Sequence, residues 1–66
     1  MNTYYMTFGQ KSDNRNFWLE IKALDYQAAF DYAKANYADS WSNLYNGADF
    51  SPGCFSGGKL REETAV

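Results

Sequence analysis

FWLEIKALDYQAAFDYAKANY, residues 17–37, changes its hydrophobic period halfway along. From Phe17 to Ala23 the alternation has a period of two. Phe17, Leu19, Ile21 and Ala23 share one face of an extended chain, and Trp18, Glu20 and Lys22 share the other. From Tyr26 the period becomes helical, and Tyr26, Ala29, Phe30, Ala33 and Tyr37 form one apolar stripe. Asp25 stands where a helix N-cap is wanted. Alanines at 28, 29, 33 and 35 favour helix and let it sit close to a flat surface. A strand leading into an amphipathic helix predicts that the helix folds back over the sheet. Phe30 is then expected to be buried between helix and sheet.

Upstream, TYYMTF at residues 3–8 reads as a second strand, because Tyr, Thr and Phe favour the pleated backbone. Tyr4, Met6 and Phe8 fall on one face, and Thr3, Tyr5 and Thr7 on the other. GQKSDNRN at residues 9–16 is polar and turn-rich, so residues 3–23 form a hairpin with a long loop. Downstream, residues 38–45 admit two readings. Trp41 to Tyr45 can form a third strand, or the helix can continue to Leu44 through Tyr37 and Trp41. The aromatic content favours the strand. Residues 47–58 are rich in Gly, Ser and Pro and read as irregular, with a turn at Asn46–Gly47. GKLREE at residues 58–63 can supply a short edge strand, and residues 64–66 are expected to fray. The fold class is therefore α+β. A small antiparallel sheet, the N-terminal hairpin plus one or two short strands, packs on one α-helix in a single domain spanning residues 1–66.

Composition turns attention from catalysis to contact. The chain has six Tyr, five Phe and two Trp but no His, one Cys and one Pro. Aromatic side chains dominate cores and interfaces. The usual proton carrier near neutral pH is missing. One cysteine makes an internal disulfide impossible, and ordinary ligand counts give no structural zinc site. Cys54, between Pro52 and Phe55, reads as a small buried hydrophobe. Ser56–Gly57–Gly58–Lys59 lacks the full phosphate-gripping pattern and reads as a turn. The carboxylates are scattered, with nothing to hold two of them across a cleft. The expectation is no enzyme activity, no cofactor and no bound metal.

The net charge of −2 is mild. Nucleic-acid binding usually needs a basic patch, since phosphate contacts supply much of the affinity. No such stripe is visible, so direct nucleic-acid contact ranks below protein contact. MNTYYMTFGQ has neither a basic region nor a long apolar run, and no stretch approaches the roughly 20 apolar residues of a membrane span. A soluble intracellular protein is expected. A chain of this length buries only about 60% of the surface its unfolded form exposes.

Tyr5 and Trp18 face away from the helix side. An outward aromatic surface can meet a protein partner, stack bases, or be covered by the C-terminal loop, where Phe50, Phe55 and Leu60 could wrap over it. A two-fold contact between copies through Tyr5 and Trp18 would also cover it, which predicts a homodimer. The candidate partner-contact residues are Tyr5, Trp18, Glu20, Trp41 and Tyr45.

TFGQ at 7–10, FWLEIKALDYQAAFDYAKANYADSW at 17–41 and Tyr45 together resemble a group of very small bacteriophage-encoded proteins. In these a strand ends in an aromatic–Gly turn, a second strand leads into one Ala-rich helix, and a Trp-to-Tyr strand follows. The resemblance covers about residues 3–45. It implies a role similar to inhibitors of host defence, including anti-CRISPR proteins. Such proteins act in the host cytoplasm by binding a bacterial host protein or complex, without a catalytic residue. Steric blocking is expected before mimicry of DNA, because the acidic excess is weak. The alternatives are a small nucleic-acid-binding regulator using its exposed aromatics, and a structural or virion-associated phage protein.

Overall fold

The computed structural model describes residues 1–65. Strands β1 (Asn2–Phe8) and β2 (Phe17–Ala23) form the expected hairpin. Helix α1 (Tyr26–Tyr37) follows, then strands β3 (Trp41–Asn46) and β4 (Gly58–Thr64). The order across the four-stranded sheet is β3-β1-β2-β4. A hairpin, two further strands and one helix on the sheet make a small α+β fold. The ambiguity over residues 38–45 resolves in favour of the strand.

The expected antiparallel sheet holds for β1, β2 and β3, and the pairing of β4 corrects it. β1 pairs antiparallel with both β2 and β3, but β4 runs parallel to β2. The reason lies in the connections. β2 and β3 point the same way with β1 between them, so the chain must cross the sheet to join them, and α1 makes that crossing over one face. β3 and β4 also point the same way, at opposite edges. Residues 47–57 make this second crossing, over the other face. A parallel neighbour requires such a crossover, whereas a tight turn suffices for an antiparallel one.

The core lies under the helix. Met6, Leu19, Ile21, Ala23, Ala29 and Ala33 are completely buried, with Tyr4, Phe8 and Leu44 nearly so. The hairpin register, Tyr4 opposite Ile21 and Met6 opposite Leu19, aligns the two apolar faces. Each fully buried aliphatic side chain contributes about 1.5–3 kcal/mol relative to exposure. Asp25 caps the helix as its position foretells, its Oδ1 accepting from the Ala28 N–H at 2.8 Å. No helix among the described residues is long and apolar enough to cross a membrane.

The burial of Phe30 differs from the sequence reading. Ala29 and Ala33 take the completely buried helix positions, and Phe30 is half-buried at the flank. The alanines bring the helix so near the sheet that a phenyl ring goes beside the contact, edge-on to Trp41 at 5.4 Å. The C-terminal strand is also longer than expected. β4 spans seven residues, and beyond it Ala65 is buried, its N–H donating to the Lys22 carbonyl at 2.8 Å. Fraying is therefore not seen at Thr64 or Ala65, because parallel pairing continues to the end of β2. Val66 lies outside the described residues.

Candidate functional site

The face opposite the helix carries Tyr5 from β1, Trp18 and Glu20 from β2, and Tyr45 from β3. Strand periodicity places the first three, and Tyr45 joins them by pairing directly with Tyr5. Trp41 does not join them. The β1–β3 register shifts between Thr7 and Phe8, so Thr7 pairs with Asn43 while Phe8 pairs with Trp41. This bulge flips one strand face. Trp41 turns to the helix side against Phe30, while Tyr45, four residues on, faces the opposite way. The structure thus gathers four of the five candidate residues and separates the fifth.

Phe50 sits over the gathered aromatics. Its ring stacks on Tyr5 at 4.8 Å and lies against Trp18 at 5.3 Å, Tyr45 at 5.6 Å and Phe55 at 5.5 Å. Tyr5 and Trp18 meet edge to face at 5.1 Å. The far face is therefore covered by the chain's own loop, through Phe50 and Phe55. Phe50 and Phe55 thus cover part of the surface that motivated a two-fold contact through Tyr5 and Trp18. Leu60 is not part of this cover, since it belongs to β4 and packs on the helix-side core.

The cover is incomplete. All five rings remain partly exposed, and the Trp18 indole N–H is buried without an acceptor among the described residues. Between β3 and the loop lies a groove of about 270 Å³, lined by Tyr45, Asp49, Phe50, Ser51, Cys54 and Phe55. Cys54 is exposed there, which corrects its reading as a buried hydrophobe. It falls in a single 3-10 turn, Pro52–Cys54, and the two phenylalanines around it take the buried side.

The polar half of the same face lies toward β4. Glu20 is mostly buried and paired with Lys22 at 3.3 Å and Lys59 at 3.9 Å. Lys22 also donates to the Thr3 hydroxyl at 2.7 Å. Glu20 thus anchors two lysines beside the aromatics. The loop closes onto β4 through Gly57, whose N–H donates to the Asn16 carbonyl at 2.7 Å. A Cβ on Gly57 would lie 2.7 Å from that oxygen and 2.7 Å from the Phe17 ring. The next residue, Gly58, has φ of +76°, a conformation that favours glycine.

A second cluster, on the helix side, has no precursor in the sequence reading. Glu63 accepts hydrogen bonds from the Tyr32 and Tyr37 hydroxyls and from Arg61, and Arg61 also donates to the Tyr37 oxygen. Burial pushes the Glu63 carboxyl up, but the hydrogen bonds from Tyr32, Tyr37 and Arg61 outweigh it. The result lies below the ordinary value of 4.5. The Tyr32 phenol is pushed up to about 12, first by its bond to Glu63 and then by burial. Burial, followed by the Glu63 bond, also raises Tyr37. The i, i+5 spacing of Tyr32 and Tyr37 gives no warning of this cluster. It depends on the β2–β4 irregularity between Trp18 and Glu20, which leaves Lys59 beside Glu20 while Arg61 and Glu63 turn to the helix. A groove of about 500 Å³ adjoins it, lined by Ala28, Asp31, Tyr32, Ala35, Asn36 and Ala65.

Among the described residues no group of three or more His, Cys, Asp or Glu is placed to hold a metal ion. The far face offers aromatic and apolar contact with an acidic rim at Asp49. No protein-family model, curated protein or solved structure matches the chain.

Proposed function

We propose that this chain is a protein-binding module that contacts its partner through the loop-covered side of the sheet. One observation carries the reading. Tyr5, Trp18 and Tyr45 converge around Phe50 on the face that also carries Glu20, and a groove flanked by half-exposed aromatic rings opens beside them. Partly buried Tyr, Trp and Phe beside a concave surface are the usual energetic anchors of protein contacts. Inhibition of a bacterial host protein or defence complex in the host cytoplasm is the role we assign to that contact. This part rests on the resemblance of residues 3–45 to small phage proteins.

The test is expression in a bacterium with an active defence system, followed by phage challenge. The wild-type chain is expected to raise plating efficiency. Tyr45→Arg, at the groove, is expected to abolish that protection. Asp31→Arg, on the exposed helix surface, is expected to retain it. A wild-type chain that protects against no defence system and co-purifies with no host protein overturns the proposal.

A further inference from the structure

The sheet has two outer edges, and they differ in kind. β4, with the sequence GKLREET, carries Lys59, Arg61, Glu62 and Glu63. Charges along an edge strand discourage further pairing. β3, with the sequence WSNLYN, carries no charge and no proline over six residues. Among the described residues it pairs only with β1. A bulge interrupts it at Ser42 and the Leu44 carbonyl accepts from the Tyr26 hydroxyl, so the regular open edge is the short uncharged run Asn43–Asn46, a template for an added strand.

The surroundings of β3 point to what that strand would be. Side chains of an added strand alternate between the two faces. On the helix side they meet Trp41 and the region where the Tyr26 hydroxyl donates to the Leu44 carbonyl at 3.3 Å. On the far side they meet Tyr45, which also lines the groove with Asp49 and Phe55. Asp39 precedes β3 and Asp49 follows it. Both are exposed, and neither forms an ion pair among the described residues. The edge is therefore uncharged along its length and acidic at both ends. A second copy fits this pattern badly. Antiparallel self-pairing of β3 brings the Asp39 end of each copy to the Asp49 end of the other, placing like charges at both ends of the ladder.

We infer that β3 and the groove beside it form a strand-addition site for an extended segment of another protein, uncharged at its centre and basic at its ends. A lysine or arginine lies against Asp49 at the groove. The inference rests on the protein-binding reading above and specifies the partner's chemistry.

The experiment is an NMR titration of isotopically labelled protein with short peptides of alternating Thr and Val. One peptide has Lys at both ends, a second has Glu, and a third is the Lys peptide N-methylated along one edge. The Lys peptide is expected to shift the amides of Trp41–Asn46 and to bind about fivefold or more tightly than the Glu peptide. The N-methylated peptide is expected to lose binding. Asp49→Lys, an exposed change whose fold the same spectrum checks, is expected to bring the Glu peptide level with the Lys peptide or ahead of it. Four results overturn the inference: shifts centred on β4, equal binding of the Lys and Glu peptides, no shift at millimolar Lys peptide, and β3 shifts that track protein concentration without peptide. The last would make a second copy the occupant. The plating assay separates the two proposals. Protection without peptide binding removes the edge assignment alone, and peptide binding without protection removes the inhibitory role alone.

Discussion

The two crossings of this sheet cover its two faces by different means. Helix α1 crosses one face with its own backbone hydrogen bonds satisfied and its N-terminus capped by Asp25. It can therefore bring Ala29 and Ala33 into full contact with Met6, Leu19 and Ile21. Residues 47–57 cross the other face through two single 3-10 turns, and Phe50 makes most of the aromatic contacts. That cover leaves the Trp18 N–H without an acceptor among the described residues and leaves a groove open beside Tyr45. The lesson is a division of labour. The helix face holds the core, and the loop face stays partly open to solvent.

The largest predicted effect breaks the stronger side. A domain of this size has a total stability of about 3–10 kcal/mol. Leu19→Ala, at a completely buried position, is expected to cost about 3–5 kcal/mol in urea denaturation. Phe50→Ala removes a larger side chain from the loop face yet is expected to cost only about 1–2 kcal/mol, since its ring is half-buried. Phe30→Ala, at the helix flank, is expected to fall between them. Equal losses for Leu19→Ala and Phe50→Ala would erase the distinction between the faces.

Next in size is the hinge between the loop and β4. Gly57→Ala places a methyl group 2.7 Å from the Asn16 oxygen and the Phe17 ring. The expected loss is about 1–3 kcal/mol, with amide shifts concentrated at residues 47–58 rather than in the helix. Shifts spread evenly through α1 would show that the two covers are not independent.

A pH series isolates the helix-side latch. The folded-state pKa of Glu63 lies below 4.5, so its contribution is fully present above the unfolded value. It is lost as pH falls through the lower folded value. Stability of the wild-type chain should therefore decline below about pH 4.5 more steeply than that of Glu63→Gln. At the other extreme, an ultraviolet titration should find Tyr32 still protonated until about pH 12. Parallel acid profiles for wild type and Glu63→Gln would remove Glu63 from the linkage.

The smallest effect sharpens the comparison from the loop side. Trp18→Phe deletes the N–H that finds no acceptor among the described residues. Its apolar loss is offset by removal of that unsatisfied donor, so stability should stay within about 1 kcal/mol of wild type. A loss comparable to that of Leu19→Ala would mean that Trp18 carries the core.

Much of this architecture could be read from residue spacing. The period change at residues 17–37 foretold β2, α1, the Asp25 cap and the apolar face shared by Leu19 and Ile21. Alternation also placed Tyr5, Trp18 and Glu20 on one outer face. Spacing failed where the chain departs from regular period. The bulge at Ser42 parted Trp41 from Tyr45, and the β4 irregularity turned Arg61 and Glu63 toward the helix. Bulges respond to tertiary contacts, so a local pattern does not announce them. The parallel pairing of β4 and the seating of Phe50 depend on how residues 47–57 cross the sheet. That path is fixed by long-range contacts such as Gly57 to Asn16, which composition does not encode.

Native-state hydrogen exchange, read amide by amide, tests the division of labour most directly. The prediction is that hydrogen-bonded amides of β1, β2 and the centre of α1 exchange only through global unfolding. Amides of residues 47–57 and of β3 should exchange through openings that cost measurably less. A single common exchange free energy for both groups, or greater protection in the loop than in the helix, would contradict the account.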